Sequence, residues 1–217
     1  MNLSELQNID SIIFDLDGTL WDASDTCAQA WNRTLSEYYG NGNNSLDADT
    51  VRSFSGMKMD DIMEKHFGFI SIEEQPEVLK RYKVYENEYI KEYGGKLYPD
   101  IQPILKDLAK KYNLFIVSNC LSGYIENFLS FHHLENLFVD FECSGNTSLS
   151  KDRNIQMIIK RNQLKNTVYI GDTVWDCEAA AKTGIPFIYA GYGFGKLTDD
   201  QTSIRTVKDL KKIFQTG

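Results

Sequence analysis

Short apolar runs recur along the chain at Ser11 to Leu16, Leu114 to Ser118, Val139 to Cys143, Thr167 to Ile170 and Phe187 to Ala190. Each has the length and flanking polarity of a buried strand. Between several of them the apolar residues return every three or four positions instead. Ile101, Ile104, Leu105 and Leu108 share one helical face, opened by Pro99-Asp100 and closed by Tyr112-Asn113. Ile155, Ile158, Ile159 and Gln163 keep the same period, as do Cys177, Ala180 and Ala181 before Gly184. Strands alternating with helices predict an α/β domain with a parallel sheet covered on both faces.

The stretch from about Trp21 to Tyr93 breaks that alternation. It holds no convincing strand but three helical patterns, Thr26 to Tyr39, Met59 to Phe67 and Glu77 to Glu92. The last carries Val78, Leu79, Tyr82, Tyr85 and Tyr89 as its apolar positions. A structureless crossover of that length is improbable, so a small all-α domain inserted after the first strand is expected. The predicted division is 1–20 with 94–217 as core and 21–93 as insertion. Leu20-Trp21-Asp22 and Gly94-Gly95 are the expected outgoing and return hinges.

Composition narrows the partners. The 217 residues are 42% hydrophobic and 25% charged, with a net charge of −8. An acidic surface disfavours nucleic acid and anionic membrane as partners, yet a phosphate ester can still bind where a metal and placed cations offset the charge. No apolar run is long enough to cross a bilayer. Cys27, Cys120, Cys143 and Cys177 form no CxxC pair, and His66, His132 and His133 have no metal-like spacing. Reduced thiols, together with a Met1-to-Glu5 segment unlike a signal peptide, point to a cytoplasmic protein, expected as a monomer or weak homodimer.

The candidate chemistry sits where the predicted strands end, which is where open parallel sheets bind ligands. The first strand runs into Asp15-Leu16-Asp17-Gly18-Thr19-Leu20, two carboxylates followed by a residue pair suited to a sharp turn. Taken alone this could be an ordinary polar turn. The second strand ends in Ser118-Asn119, and the fourth in Gly171-Asp172-Thr173-Val174-Trp175-Asp176, with Lys151 between them. The set supplies a nucleophile, an acid/base, a cation and metal ligands on one sheet edge.

In this order the four segments resemble the motifs of the haloacid dehalogenase superfamily of phosphohydrolases. The insertion is similar to the helical cap of its phosphoglycolate phosphatase and β-phosphoglucomutase subgroup, and Ile185 to Gly193 looks most like the former branch. The resemblance implies a Rossmann-like core and Mg²⁺ as cofactor. It implies Asp15 as nucleophile and Asp17 as general acid/base, the latter also lending its backbone carbonyl to the metal. Asp172 completes the metal set. Asp176 is placed with it, either orienting a metal-bound water or Lys151, or standing only as a first-turn helix carboxylate. Ser118, Asn119, Lys151 and the Gly18-Thr19 turn would hold phosphate, with Arg153 as fallback cation. Lys58, in the Ser55-Gly56-Met57-Lys58 loop, is a candidate contact to a substrate carboxylate or hydroxyl. Lys151 is followed by Asp152 rather than the usual proline, and Asp100 stands where the family has glycine.

The expected activity is hydrolysis of a small phosphorylated metabolite, phosphoglycolate-like or a sugar phosphate, through an aspartyl-phosphate. A phosphomutase would use the same aspartates but return the phosphoryl group to a second hydroxyl, so free phosphate separates the two. A non-catalytic phosphometabolite-binding protein would release none. Dehalogenation is disfavoured by an acid at position 17.

Overall fold

A computed structural model describes residues 8–40, 45–197 and 202–214. The N-terminal segment read above for a signal peptide lies outside the described residues. The chain runs β1 (Ser11–Phe14), β2 (Trp21–Asp22), α1 (Ser24–Tyr39), α2 (Ala48–Arg52), α3 (Met59–His66), α4 (Gln75–Tyr93) and β3 (Lys96–Leu97). It continues through α5 (Ile101–Leu108), β4 (Asn113–Ser118), α6 (Tyr124–His132), β5 (Phe138–Cys143), α7 (Ser144–Thr147) and α8 (Lys151–Arg161). The last elements are β6 (Thr167–Gly171), α9 (Val174–Thr183), β7 (Phe187–Ala190), β8 (Ser203–Ile204) and α10 (Asp209–Ile213).

Six strands form one parallel sheet in the order β5-β4-β1-β6-β7-β8. Strand β1 lies between β4 and β6, with Ile13 opposite Phe115 and Tyr169. Because side chains alternate along a strand, Ile12 and Phe14 enter one core layer while Ile13 joins Phe115, Val117 and Tyr169 in the other. Both faces are apolar, as a parallel sheet flanked by helices requires. All five expected strands are present, each within about two residues of its predicted bounds.

The long crossover is a helical insertion with its own apolar cluster. Trp31 stacks between Phe67 and Tyr82, with ring centroids at 4.4 and 3.7 Å. The helices α1, α3 and α4 cover the three expected there, and the short α2 was not anticipated. Nor was strand: β2 pairs antiparallel with β3, so the two connections form a ribbon. Two residues per strand leave no period to read. At the expected outgoing hinge, Trp21 is fully buried against Tyr124, Phe128 and His132. Helix α8 ends at Arg161, and Gln163 lies beyond it at φ 55°, so it does not extend the Ile155-Ile159 stripe. Among the described residues no helix is long and apolar enough to cross a membrane.

Candidate active site

Asp15 follows β1 directly and is fixed there by its N–H, which donates to the Ile170 carbonyl at 2.8 Å. Ser118 closes β4 and Asp172 follows β6, so three adjacent strand ends present their side chains on one rim. The chain leaves this rim through Gly18, at φ 83°. A side chain at this position would stand 2.2 Å from Asp172 Oδ2, so the turn is both left-handed and pressed against the cluster.

Lys151 opens helix α8 and is buried with its ammonium between two carboxylates. Its Nζ donates to Asp15 Oδ1 at 2.9 Å and to Asp176 Oδ1 at 2.6 Å. Burial works against the ammonium, but Asp15 and Asp176 outweigh it and hold Lys151 above its ordinary range. Burial raises Asp15 to about 8, helped by Asp176 and opposed by Lys151. Burial also takes Asp172 to about 7, with the charge of Asp176 adding to it.

The two carboxylates after β6 differ in how far the protein satisfies them. Asp176 completes a capping box with Thr173, whose N–H and hydroxyl donate to its Oδ2 at 2.8 and 2.6 Å. Lys151 holds the other oxygen, and the Tyr169 hydroxyl lies 3.1 Å away. Asp172 receives the N–H groups of Phe194 and Gly195 on Oδ2, at 2.7 and 3.3 Å, but only a long Thr19 hydroxyl contact of 3.3 Å on Oδ1. Carboxylate oxygens of Asp15, Asp172 and Asp176 all lie within 4.8 Å of one another. Three buried acids against one ammonium leave a deficit of positive charge, and hard oxygen donors suit Mg²⁺.

Asp17 points away from that cluster. Its Oδ1 accepts from the Tyr124 hydroxyl at 2.8 Å, and burial raises its carboxyl to about 7 against the lowering effect of that bond. One cavity is lined by Asp15, Asp17, Ser118, Asn119 and Lys151 together with residues of the helical insertion. Asn119 ties the two parts: its Nδ2 donates to the Gly56 carbonyl at 2.8 Å, and its Oδ1 accepts from Ser144.

Other expected contacts stand apart. Gly18 and Thr19 do not line the cavity; the first makes the turn, and the second is buried against Asp172. Lys58 is exposed at the start of α3 and lines a neighbouring cavity that shares only Gly56, Asn119 and Lys151 with the first. Arg153 is exposed and bonded to Gln156. Cys120 does line the cavity, but burial and Cys143 push its thiol well up. Missing from the sequence reading were Tyr124, the Phe194-Gly195 amides and Glu86. The last falls four residues after Tyr82 on the apolar face of α4, a position whose meaning only the neighbouring cavity reveals.

A family model described as haloacid dehalogenase-like hydrolase matches residues 12–190. The chain belongs to the haloacid dehalogenase-like hydrolase family. Within this family it is similar to a phosphoglycolate phosphatase of Aquifex aeolicus, 30% identical over 210 residues, 93% of this chain and 95% of that protein. A phosphoglycolate phosphatase of Vibrio vulnificus is 26% identical over 87% of this chain and 86% of its own. A haloacid dehalogenase-like family hydrolase from Streptococcus pneumoniae superposes with a TM-score of 0.77 at 26% identity, covering 94% of this chain and 98% of that one.

Proposed function

We propose that the protein is a Mg²⁺-dependent phosphatase of a small phosphorylated metabolite, working through an aspartyl-phosphate on Asp15. The observation that carries this reading is the buried Lys151–Asp15 contact of 2.9 Å beside Asp172, at the ends of three neighbouring strands. It is supported by relatives named phosphoglycolate phosphatase.

Asp15 attacks phosphorus, forming an O–P bond as the ester P–O bond breaks. Asp17 gives its proton to the departing alkoxide, then takes one from the water that cleaves the acyl phosphate. A carboxyl raised to about 7 can serve both ways near neutral pH. Lys151 and Ser118 hold phosphoryl oxygens. Asp176, saturated by protein donors, positions Lys151 rather than binding metal. Asp15, Asp172 and the Asp17 carbonyl would hold Mg²⁺, which would supply positive charge to offset that of the phosphoryl group. Residues 21–93 act as a cap domain over a core of 1–20 and 94–217, keeping bulk water from the attack.

The D15N variant tests this route. It is expected to lose about 10³-fold or more of the phosphate release from p-nitrophenyl phosphate in Mg²⁺, with its far-ultraviolet dichroism unchanged. Activity within tenfold of wild type would overturn the covalent mechanism. Free phosphate rather than an isomerised sugar phosphate as product separates hydrolysis from mutase action.

A further inference from the structure

The cavity that holds Asp15 and Asp17 also reaches into the helical insertion, where Trp31, Ile62, Tyr82 and Glu86 line it. On the phosphatase reading this half of the cavity takes the leaving alcohol, since Asp17 stands beside it to protonate the departing oxygen. Its charges are one-sided. Among the described residues the charged lining consists of Asp15, Asp17, Glu86 and Lys151, and Lys151 serves Asp15, Asp176 and, on the reading above, the phosphoryl group. No lysine, arginine or histidine of the insertion lines it, and Lys58 belongs to the neighbouring cavity.

Glu86 is only 5% exposed. Its Oε1 accepts from the Tyr82 hydroxyl at 2.6 Å, while its Oε2 is buried and has no hydrogen-bond partner. A buried carboxylate oxygen without a donor costs on the order of 1–3 kcal/mol or more, so such oxygens are rare unless something else occupies them. A helix seeking only stability would place an apolar residue here, between Tyr82 and Ile90 on the buried face. Glu86 is itself one of the residues that line the cavity.

We propose that Glu86 is a specificity-determining residue of this active site, receiving a hydrogen-bond donor of the leaving alcohol, an ammonium or a hydroxyl, and turning away leaving groups that carry a carboxylate. The inference rests on the phosphatase reading above and sharpens it. A carboxylate in this half of the cavity finds no free cation and is tolerated only while Asp17 and Glu86 keep their protons, whereas an ammonium draws Glu86 into its ionised form. An ammonium or hydroxyl satisfies Oε2 while its carbon skeleton lies on Trp31, Ile62 and Tyr82. The chain therefore differs in substrate from relatives whose name implies a carboxylate-bearing leaving group.

The test compares kcat/KM, read as phosphate release in Mg²⁺, for phosphoethanolamine, glycerol 3-phosphate, 2-phosphoglycolate and p-nitrophenyl phosphate. Wild type is expected to favour one of the first two over 2-phosphoglycolate by tenfold or more. If the occupant is an ammonium, phosphoethanolamine leads and E86Q cuts its lead at least tenfold. If it is a hydroxyl, glycerol 3-phosphate leads, E86Q keeps most of that lead and E86L removes it. Each ratio is taken within one variant, so a smaller folded fraction does not distort it. A wild-type preference for 2-phosphoglycolate, or ratios that neither substitution moves, overturns the role of Glu86 and leaves the phosphatase reading standing. No phosphate release from any of the four esters overturns both.

Discussion

Glu86 shows what a functional carboxyl costs the fold. Burial raises it to about 8 from an ordinary 4.5; the Tyr82 bond and Lys83 oppose the rise, and Asp17 and Cys143 add to it. Below about pH 4.5 the carboxyl is protonated both folded and unfolded. Between that pH and about 8 the folded protein keeps a proton that the unfolded chain has lost, so this residue's contribution to stability falls as pH rises. E86Q cannot ionise and should be more stable than wild type at pH 8.5, by a margin that shrinks toward pH 5. Urea denaturation at both values reads it, and a margin independent of pH would mean that Glu86 is not buried as an ionisable group. The motif acids were legible in the sequence because their spacing and order are themselves the signal. Glu86 and Tyr124 were not, because one polar residue on an apolar stripe gains meaning only when a cavity is seen beside it.

Trp21 makes the same point for elements. The sequence marks where the insertion begins and ends through helical periodicity, and α1, α3 and α4 lie where that periodicity put them. It does not tell a hinge from an anchor. Two-residue strands have no readable pattern, and the partners of Trp21 on α6 are more than a hundred positions away. The indole ties the outgoing connection to the core, and the β2–β3 ribbon ties it to the return. W21A should therefore cost about 3–5 kcal/mol in chemical denaturation, the range for removing a buried aromatic side chain. A loss below about 1 kcal/mol would mean that the indole does not hold the connection to the core.

Across the whole molecule, the insertion sits closed on the core through a few polar clasps. Asn119 donates to the Gly56 carbonyl and Asn127 to the Asn87 side-chain oxygen, each at 2.8 Å. Gly56, at φ 78°, approaches Thr173 so tightly that a side chain there would stand 2.6 Å from its hydroxyl. Beneath this contact lie three buried acids and one ammonium, in a chain already carrying −8. A cation that binds the folded cluster but not the unfolded chain stabilises by mass action, about 2.7 kcal/mol at a hundredfold excess over Kd. For a protein of this size that is a rise in Tm of roughly 5–10 °C. Mg²⁺ should thus raise the Tm of wild type in a saturable way, and a chelator should reverse the rise and stop turnover together. D172N removes one of the acids and should show a much smaller rise at the same Mg²⁺. An equal rise in D172N would put the cation elsewhere, because the cluster proposed to hold the metal is also the charge imbalance that a bound cation would relieve.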